Sequence, residues 1–251
     1  ATDEDPSDLD ALLDALNDRV DPNSDLTIIP GMVSDALEPA STFENVQSKL
    51  IIDTTKIIPS DPRSGTPLEG SFVEECPAWR RGEEEPPKIS EHLLEEISKI
   101  PEVEDCRMLR NSMLVVTVDF EGRPNPRTGS HWPDEENAAA KVKKINQLRK
   151  SIWQLDSQTA IRWLFITDND LDLHGDGAKR RLLWQLTSRF AVERDFIVED
   201  GRICWDATTP IPSLEGETPV RRWPAITMHD PETLEAIERF DLPPWPNNLV
   251  M

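Results

Sequence analysis

The chain has 251 residues, 48 of them acidic and 27 basic, for a formal charge of −21. That length allows one large domain or two modest ones, and the charge makes duplex DNA or an anionic membrane face a poor partner, because every phosphate meets repulsion. No apolar run reaches the roughly 18 residues of a membrane span and no signal-peptide pattern opens the chain, so a cytoplasmic protein without nucleic-acid or membrane partners is expected.

In chain order, Asp8–Arg19 places Leu9, Leu12, Leu13 and Leu16 on one helical face, with Ser7 as the expected N-cap. Residues 25–30 (DLTIIP) read as a short buried strand closed by Pro30-Gly31, and 49–53 (KLIID) as a second strand. Residues 57–89 are proline-rich and carry the acid run Glu83-Glu84-Glu85, which marks a linker. Beyond it, Ser90 can cap a helix through Ile100, and Met113–Phe120 is a strong strand followed by a turn-rich loop, 122–133. A long helix is expected over Glu135–Leu155, with Ala139, Val142, Ile145, Leu148 and Ile152 on its inner face. Then come a strand at Ile161–Thr167, a helix at Asp176–Phe190, and strands at Phe196–Glu199 and Ile203–Asp206. Strand and helix alternate as in an α/β fold, here a mixed sheet with flanking helices.

Two stretches of the chain resemble each other. Thr2–Asp5 matches Thr167–Asp170; Leu12, Leu13, Leu16 and Arg19 match Leu182, Leu183, Leu186 and Arg189; Asp25 matches Asp195; and Ile51–Thr55 matches Cys204–Thr208. The order is kept across all blocks, which is the signature of a repeat. The first copy lacks the leading strand and long helix of the second, and opening at Ala1 in mid-element suggests a processed or cleaved polypeptide. Alone it would leave strand edges and an apolar helix face uncovered, so it is expected to complete a domain with the second copy or with another chain.

With these blocks in hand, the chain resembles the C-terminal domain of the UbiD-type decarboxylases. The resemblance rests on FITDNDLDLHGDGAKRRLLWQLTSRFAVERDFIV and GRICWDATTP in the second copy, and on DALNDRVDPNSDLTIIPG and Ser48-Lys49-Leu50-Ile51-Ile52-Asp53-Thr54-Thr55 in the first. It implies a division into 1–56 (the C-terminal part of a first copy), 57–89 (linker) and 90–251 (a second copy with a tail). It also implies a carboxy-lyase that uses prenylated flavin mononucleotide (FMN), with a divalent metal and potassium, on an aromatic or α,β-unsaturated acid. In that family the catalytic arginine and glutamates lie in upstream domains that no segment here matches, so the catalytic residues are unknown. The cofactor is expected to be held mainly by residues outside this chain. The C-terminal domain builds the oligomer and carries a lysine that reaches the cofactor phosphate, which corresponds to Lys49; Arg202 stands at the matching place in the second copy. Partners would be further copies of the chain or a separate flavin-bearing chain. The alternative is a non-catalytic assembly subunit or scaffold that kept this domain.

Other chemical candidates are weaker. Asp168, Asp170, Asp172 and Asp176 alternate as in a calcium loop, but the EF-hand template wants glycine and glutamate where Leu173 and Lys179 stand. These acids are expected to form a turn and to cap the next helix. His92, His131, His174 and His229 lack metal-ligand spacing, with His174 the one beside the acids; no metal site is expected. Cys76, Cys106 and Cys204 form no CxxC pair and read as idle thiols. Arg19 and Arg189 are expected to bond helix-end carbonyls or nearby acids, and Trp163, Trp184, Trp205 and Trp223 to serve in packing.

Overall fold

Two runs, MLVVTV and WLFITD, are buried along their whole length, as strands covered on both faces must be. The computed structural model describes residues 5, 7–33, 40, 45–55, 87–119, 136–210, 232 and 235. The chain divides into residues 1–123 with 132–223, and residues 124–131 with 224–251. In the second unit only Glu232 and Glu235 are described, both helical. The expected linker (from residue 56 to 86), the 122–133 loop, Cys76, His131, Trp223, His229 and the tail lie outside the described residues.

In the first unit the elements run α1 (Leu9–Arg19), β1 (Leu26–Val33), β2 (Val46–Ile52), α2 (Glu91–Ile97), β3 (Val103–Arg110), β4 (Met113–Val118) and α3 (Glu136–Leu155). They continue with β5 (Trp163–Asp168), α4 (Ala178–Ser188), α5 (Val192–Asp195), β6 (Phe196–Glu199) and β7 (Arg202–Asp206). Five strands form one sheet in the order β3-β4-β5-β7-β6, with β4, β5 and β7 mutually parallel and antiparallel strands at both edges. β1 and β2 form a separate antiparallel pair.

Alternation along the central strands sorts side chains to two cores. Leu114, Val116, Leu164, Ile166 and Cys204 meet α2 and α3 through Ile97, Ile145, Leu148 and Ile152. Met113, Val115, Trp163, Phe165 and Ile203 face the other way, towards Leu13 and Val20 of the α1 segment and Leu182 and Leu186 of α4. The mixed α/β architecture expected from the sequence is therefore present, with the N-terminal segment laid over the sheet.

Several local expectations change. Asp8, not Ser7, caps α1: its carboxylate accepts from the N–H groups of Asp10 (2.9 Å) and Ala11 (3.2 Å), while the Ser7 hydroxyl donates to Asp5. β1 does not stop at Pro30-Gly31 but runs on to Val33, its register shifting between Ile29 and Met32. Proline cannot donate to a ladder and Gly31 takes φ +65°, so the pair makes a bulge on an edge strand. Nor is β1 buried; Ile28, Ile29, Met32 and Val33 are exposed. In α3 the inner stripe is Lys141, Ile145, Leu148 and Ile152, and Val142 points to solvent. Spacings of four, three and four keep Lys141 on that stripe, where its Nζ donates to the Thr209 carbonyl (2.8 Å). α4 begins at Ala178 after Gly177, with no side-chain cap, so the aspartates do not cap it. β3 and the one-turn α5 are additions; β3 is too charged to read as a strand by hydrophobicity.

The repeat is visible as hydrogen bonds. In the first copy the Asp25 Oδ2 accepts from Asp21 N–H at 2.8 Å; in the second, Asp195 Oδ2 accepts from Ala191 N–H at 2.8 Å. Asp53 Oδ1 accepts from Thr55 N–H (2.8 Å) and Oγ1 (2.7 Å), as Asp206 Oδ1 does from Thr208 N–H (2.9 Å) and Oγ1 (2.5 Å). Leu26 pairs with Ile52 as Phe196 pairs with Trp205.

The α1 segment is fastened to the five-stranded sheet by a buried arginine. Arg162 Nε donates to Ser112 Oγ (3.1 Å) and Nη1 to the Val20 carbonyl (3.1 Å), while Nη2 bonds the Asn17 carbonyl. Asn17 Oδ1 accepts from Ser112 N–H (3.1 Å) and Oγ (2.9 Å). These bonds take up carbonyls that end α1, and burial pulls the Arg162 pKa down to about 10 against the opposing pull of Asp18 and Asp21. At the rim, Arg110 and Lys179 both pair with Asp10, holding its carboxyl at about 2; being exposed, these pairs add little.

Replacing Arg162 by Met keeps most of the volume but leaves buried carbonyls unpaired. Arg162→Met is expected to cost roughly 2–4 kcal/mol, with amide exchange in α1 accelerating before that in β4; equal acceleration in both would contradict the clamp. Asp195 carries a pH dependence. Burial raises its pKa to about 6, with Asp206 adding to the rise and Arg194 opposing it. Between about pH 4 and 6 the folded chain retains a proton that the unfolded chain releases, so this group's contribution to stability declines as pH rises. Urea midpoints across that window are expected to show a fall on the order of 1–3 kcal/mol that Asp195→Asn abolishes.

Candidate functional site

In an open α/β sheet the crevice outside the C-terminal ends of the parallel strands is the natural place for a ligand. Here β5 ends there in Asp168, and the following turn adds Asp170. Arg189, buried at the end of α4, reaches both: Nη1 lies 3.1 Å from Asp168 Oδ2 and Nη2 3.0 Å from Asp170 Oδ2. Asp168 Oδ2 also accepts from Thr209 N–H (2.8 Å) and Oγ1 (2.5 Å), and Asp170 Oδ1 from Gln185 Nε2 (3.0 Å). The Gln185 Oε1 in turn takes the Thr167 hydroxyl. The arginine fork and the two carboxylates match as a bridged ion pair, so the crevice is filled by the chain's own charges.

The other two aspartates separate from this pair. Asp172 Oδ1 accepts from His174 N–H (2.9 Å) and Gly175 N–H (3.0 Å), closing a turn so tight that a Cβ at Gly175 would meet Asp172 Oδ2 at 2.5 Å. Asp176 is exposed. His174 is also exposed and its Nε2 lies 3.1 Å from Asp105 Oδ2. Among the described residues no three of His, Cys, Asp and Glu come together as a metal cluster.

Lys49 sits at the middle of β2, opposite Ile29, with an exposed side chain. Its neighbour Ser48 donates to Glu193 of α5. Arg202, at the matching place in β7, lies over the Trp153 ring at 4.7 Å and donates to the Trp153 carbonyl at 3.4 Å, a packing role. Arg19 donates to the Thr54 carbonyl at 3.5 Å. Burial raises both the Cys106 thiol, whose Sγ approaches the Leu94 carbonyl (3.7 Å), and the Cys204 thiol. Such thiols are poor nucleophiles. Trp163 is fully buried and Trp205 half-buried, whereas Trp184 is 55% exposed, with Arg189 5.8 Å from its ring.

Sequence reasoning missed an apolar cavity of about 280 Å³ between α1, α4 and the sheet. Its walls include Leu12, Leu13 and Leu16 of α1, Leu182, Leu183 and Leu186 of α4, Ile52, and the rings of Trp163, Phe165 and Trp205. The matching leucine triplets of the repeat were its signal: two apolar helix faces of the same pattern need a common space to fill. The indole N–H groups of Trp163 and Trp205 have no hydrogen-bond partner among the described residues.

Removing the arginine from the crevice would leave two carboxylates facing each other. Arg189→Met is expected to cost roughly 3–5 kcal/mol at pH 7. Urea unfolding of Arg189→Met checks this; a cost below about 1 kcal/mol would show that the carboxylates do not depend on Arg189.

Residues 1–54, which hold α1, β1 and β2, match the family model described as the 3-octaprenyl-4-hydroxybenzoate carboxy-lyase C-terminal domain. Among solved structures, vanillic acid decarboxylase of Sedimentibacter hydroxybenzoicus in closed form aligns at 14% sequence identity with a TM-score of 0.35. The alignment covers 59% of this chain and 30% of that chain, so the chain spans less than a third of that structure's length. No curated protein matches the sequence. The family match thus falls on the N-terminal segment, the one that carries Lys49 and the Arg162-bound end of α1.

Proposed function

We propose that the chain is the C-terminal, oligomer-forming part of a UbiD-like carboxy-lyase, whose whole assembly decarboxylates or carboxylates an aromatic or α,β-unsaturated acid with prenylated FMN. The observation that carries this reading is the family match over α1–β1–β2, reinforced by the same hydrogen-bonded turns in residues 178–208. On that basis residues 1–56 and 90–251 are two copies of one domain type, the first partial, joined by the proline-rich segment 57–89.

The described residues do not by themselves fit a flavin phosphate. Lys49 offers one exposed ammonium on an antiparallel pair of strands, without the converging backbone N–H groups of a phosphate cradle. The crevice at the strand ends is anionic and already occupied by Arg189. The chain's own contribution is therefore positional: Lys49 supplies one leg of a cofactor site whose other ligands, and the groups that handle the proton and carboxylate, belong to other domains. A second reading, a non-catalytic assembly subunit, is favoured by that same filled crevice.

Native mass together with a flavin absorbance scan separates the two. The enzyme reading expects flavin to appear only in complexes that include a catalytic chain or domain. In such a complex Lys49→Ala is expected to weaken flavin retention by about ten- to a hundredfold, the worth of one charge-assisted hydrogen bond, while leaving the assembly's mass unchanged. Complexes devoid of flavin under all conditions would leave the scaffold reading standing.

A further inference from the structure

The cavity between α1, α4 and the sheet is larger than folding alone requires. Protein interiors pack to crystal-like density, and the voids that remain are mostly smaller than a water molecule. At about 280 Å³ this one is far above that. Its floor is a row of rings on the central strands. Trp163 and Phe165 of β5 stack at 6.0 Å with an interplanar angle of 19°, and the Trp205 ring of β7 lies 6.1 Å from Phe165. That floor is fixed, because β5 is hydrogen-bonded along both edges, to β4 and to β7. The roof is fixed as well. Arg162 ties the end of α1 to the sheet, and near the helix start Asp10 pairs with Arg110 of β3 (2.6 Å) and with Lys179 of α4. α1 is thus held at both ends, with its leucines facing the same space as those of α4.

The wall carries an unmet demand of one kind. The indole N–H groups of Trp163 and Trp205 are buried and without a hydrogen-bond partner among the described residues, whereas buried indoles ordinarily find an acceptor. Trp163 is wholly buried, so bulk solvent does not serve it. The rest of the lining is almost entirely hydrocarbon. Among the described residues Lys179 is the one charged side chain that lines it, and Asp10 already neutralises that charge. An occupant therefore gains from apolar bulk and from a hydrogen-bond acceptor, and gains little from charge. A carboxylate would leave water for an apolar space in a chain of net charge −21. Water, which needs two to four polar partners, meets mostly hydrocarbon there. Benzene fills an apolar cavity of about 150 Å³, so by volume this one takes roughly ten to twelve non-hydrogen atoms.

We propose that the cavity is a binding site for a neutral, largely apolar carbonyl compound of that size. Its oxygen accepts from an indole N–H of the floor, and its hydrocarbon part lies between the leucines of α1 and α4 and the rings. Entry is beside Leu183 and Lys179: Leu183 is 38% exposed, while Leu13, Leu182 and Leu186 are buried. Neither Lys49 nor Arg189 lines the space, so it can be tested without a flavin-bearing partner.

The test titrates the full chain with three probes of similar shape: benzylacetone, a ketone; butylbenzene, its hydrocarbon counterpart; and hydrocinnamate, a carboxylate. Calorimetry reads affinity, and the indole N–H resonances of isotope-labelled protein, assigned with Trp163→Phe and Trp205→Phe, read contact. The ketone is expected to bind at least tenfold more tightly than either other probe and to shift the Trp163 or Trp205 indole resonance downfield. Leu12→Phe, which adds bulk to the wall, is expected to weaken ketone binding at least tenfold with Tm unchanged or raised. Equal binding of butylbenzene would overturn the proposal, leaving an apolar void with no use for the indoles. So would preference for hydrocinnamate, or ketone binding that leaves both indole resonances unmoved. No binding by any probe would also overturn it, assigning the space to water or to a segment of this chain. The comparison of ketone with hydrocarbon uses the unaltered chain and holds even where a variant fails to fold.

Discussion

The guanidinium of Arg162 is the constraint on which this arrangement rests. It lies at the start of the central strand β5 and bonds the carbonyls of Asn17 and Val20, so the end of α1 is tied to the middle of the sheet. Apolar packing of Leu13 and Val20 contributes about 1.5–3 kcal/mol per side chain, similar in size to the cost of stranding those polar groups. Neither alone would seat a short helix–hairpin unit on a foreign sheet. Together they fix its angle, because the hydrogen bonds are directional where the hydrophobic contact is not.

The abundant acids are put to structural use in a consistent way. Asp8 caps α1, Asp25 and Asp195 each close a turn, Asp53 and Asp206 each hold the threonine two residues on, and Asp168 and Asp170 share Arg189. Each of these side chains has a donor close at hand, so hydrogen bonds take up acids in a chain whose net charge would oppose compaction. The acidic turn after β5 thus resembles a cation loop in composition only. Its four aspartates split between an arginine, a turn and solvent.

Strands buried on both faces were legible because MLVV and WLFI are continuous apolar runs, and the long α3 because its stripe repeats over five turns. β3 was not legible: VEDCRMLR carries four charges and is a strand because β4 offers it an edge. Val142 was misplaced because a stripe defined only by apolar residues skips Lys141, whose buried ammonium donates to the Thr209 carbonyl. Lys49 is a candidate through resemblance alone, and the cavity between the leucine triplets became visible only once both helices had a common floor.

Sequence by itself determined the periodic elements, the acidic surface and the repeat, since these depend on residues close together along the chain. The tertiary structure decided that α1 lies on the sheet, that Arg189 bridges Asp168 and Asp170, and that the apolar faces of α1 and α4 line one cavity. Each of these depends on groups far apart in sequence coming together, as Asn17 and Arg162 do. No local pattern encodes such a meeting, because its energy exists only when the two groups are desolvated together.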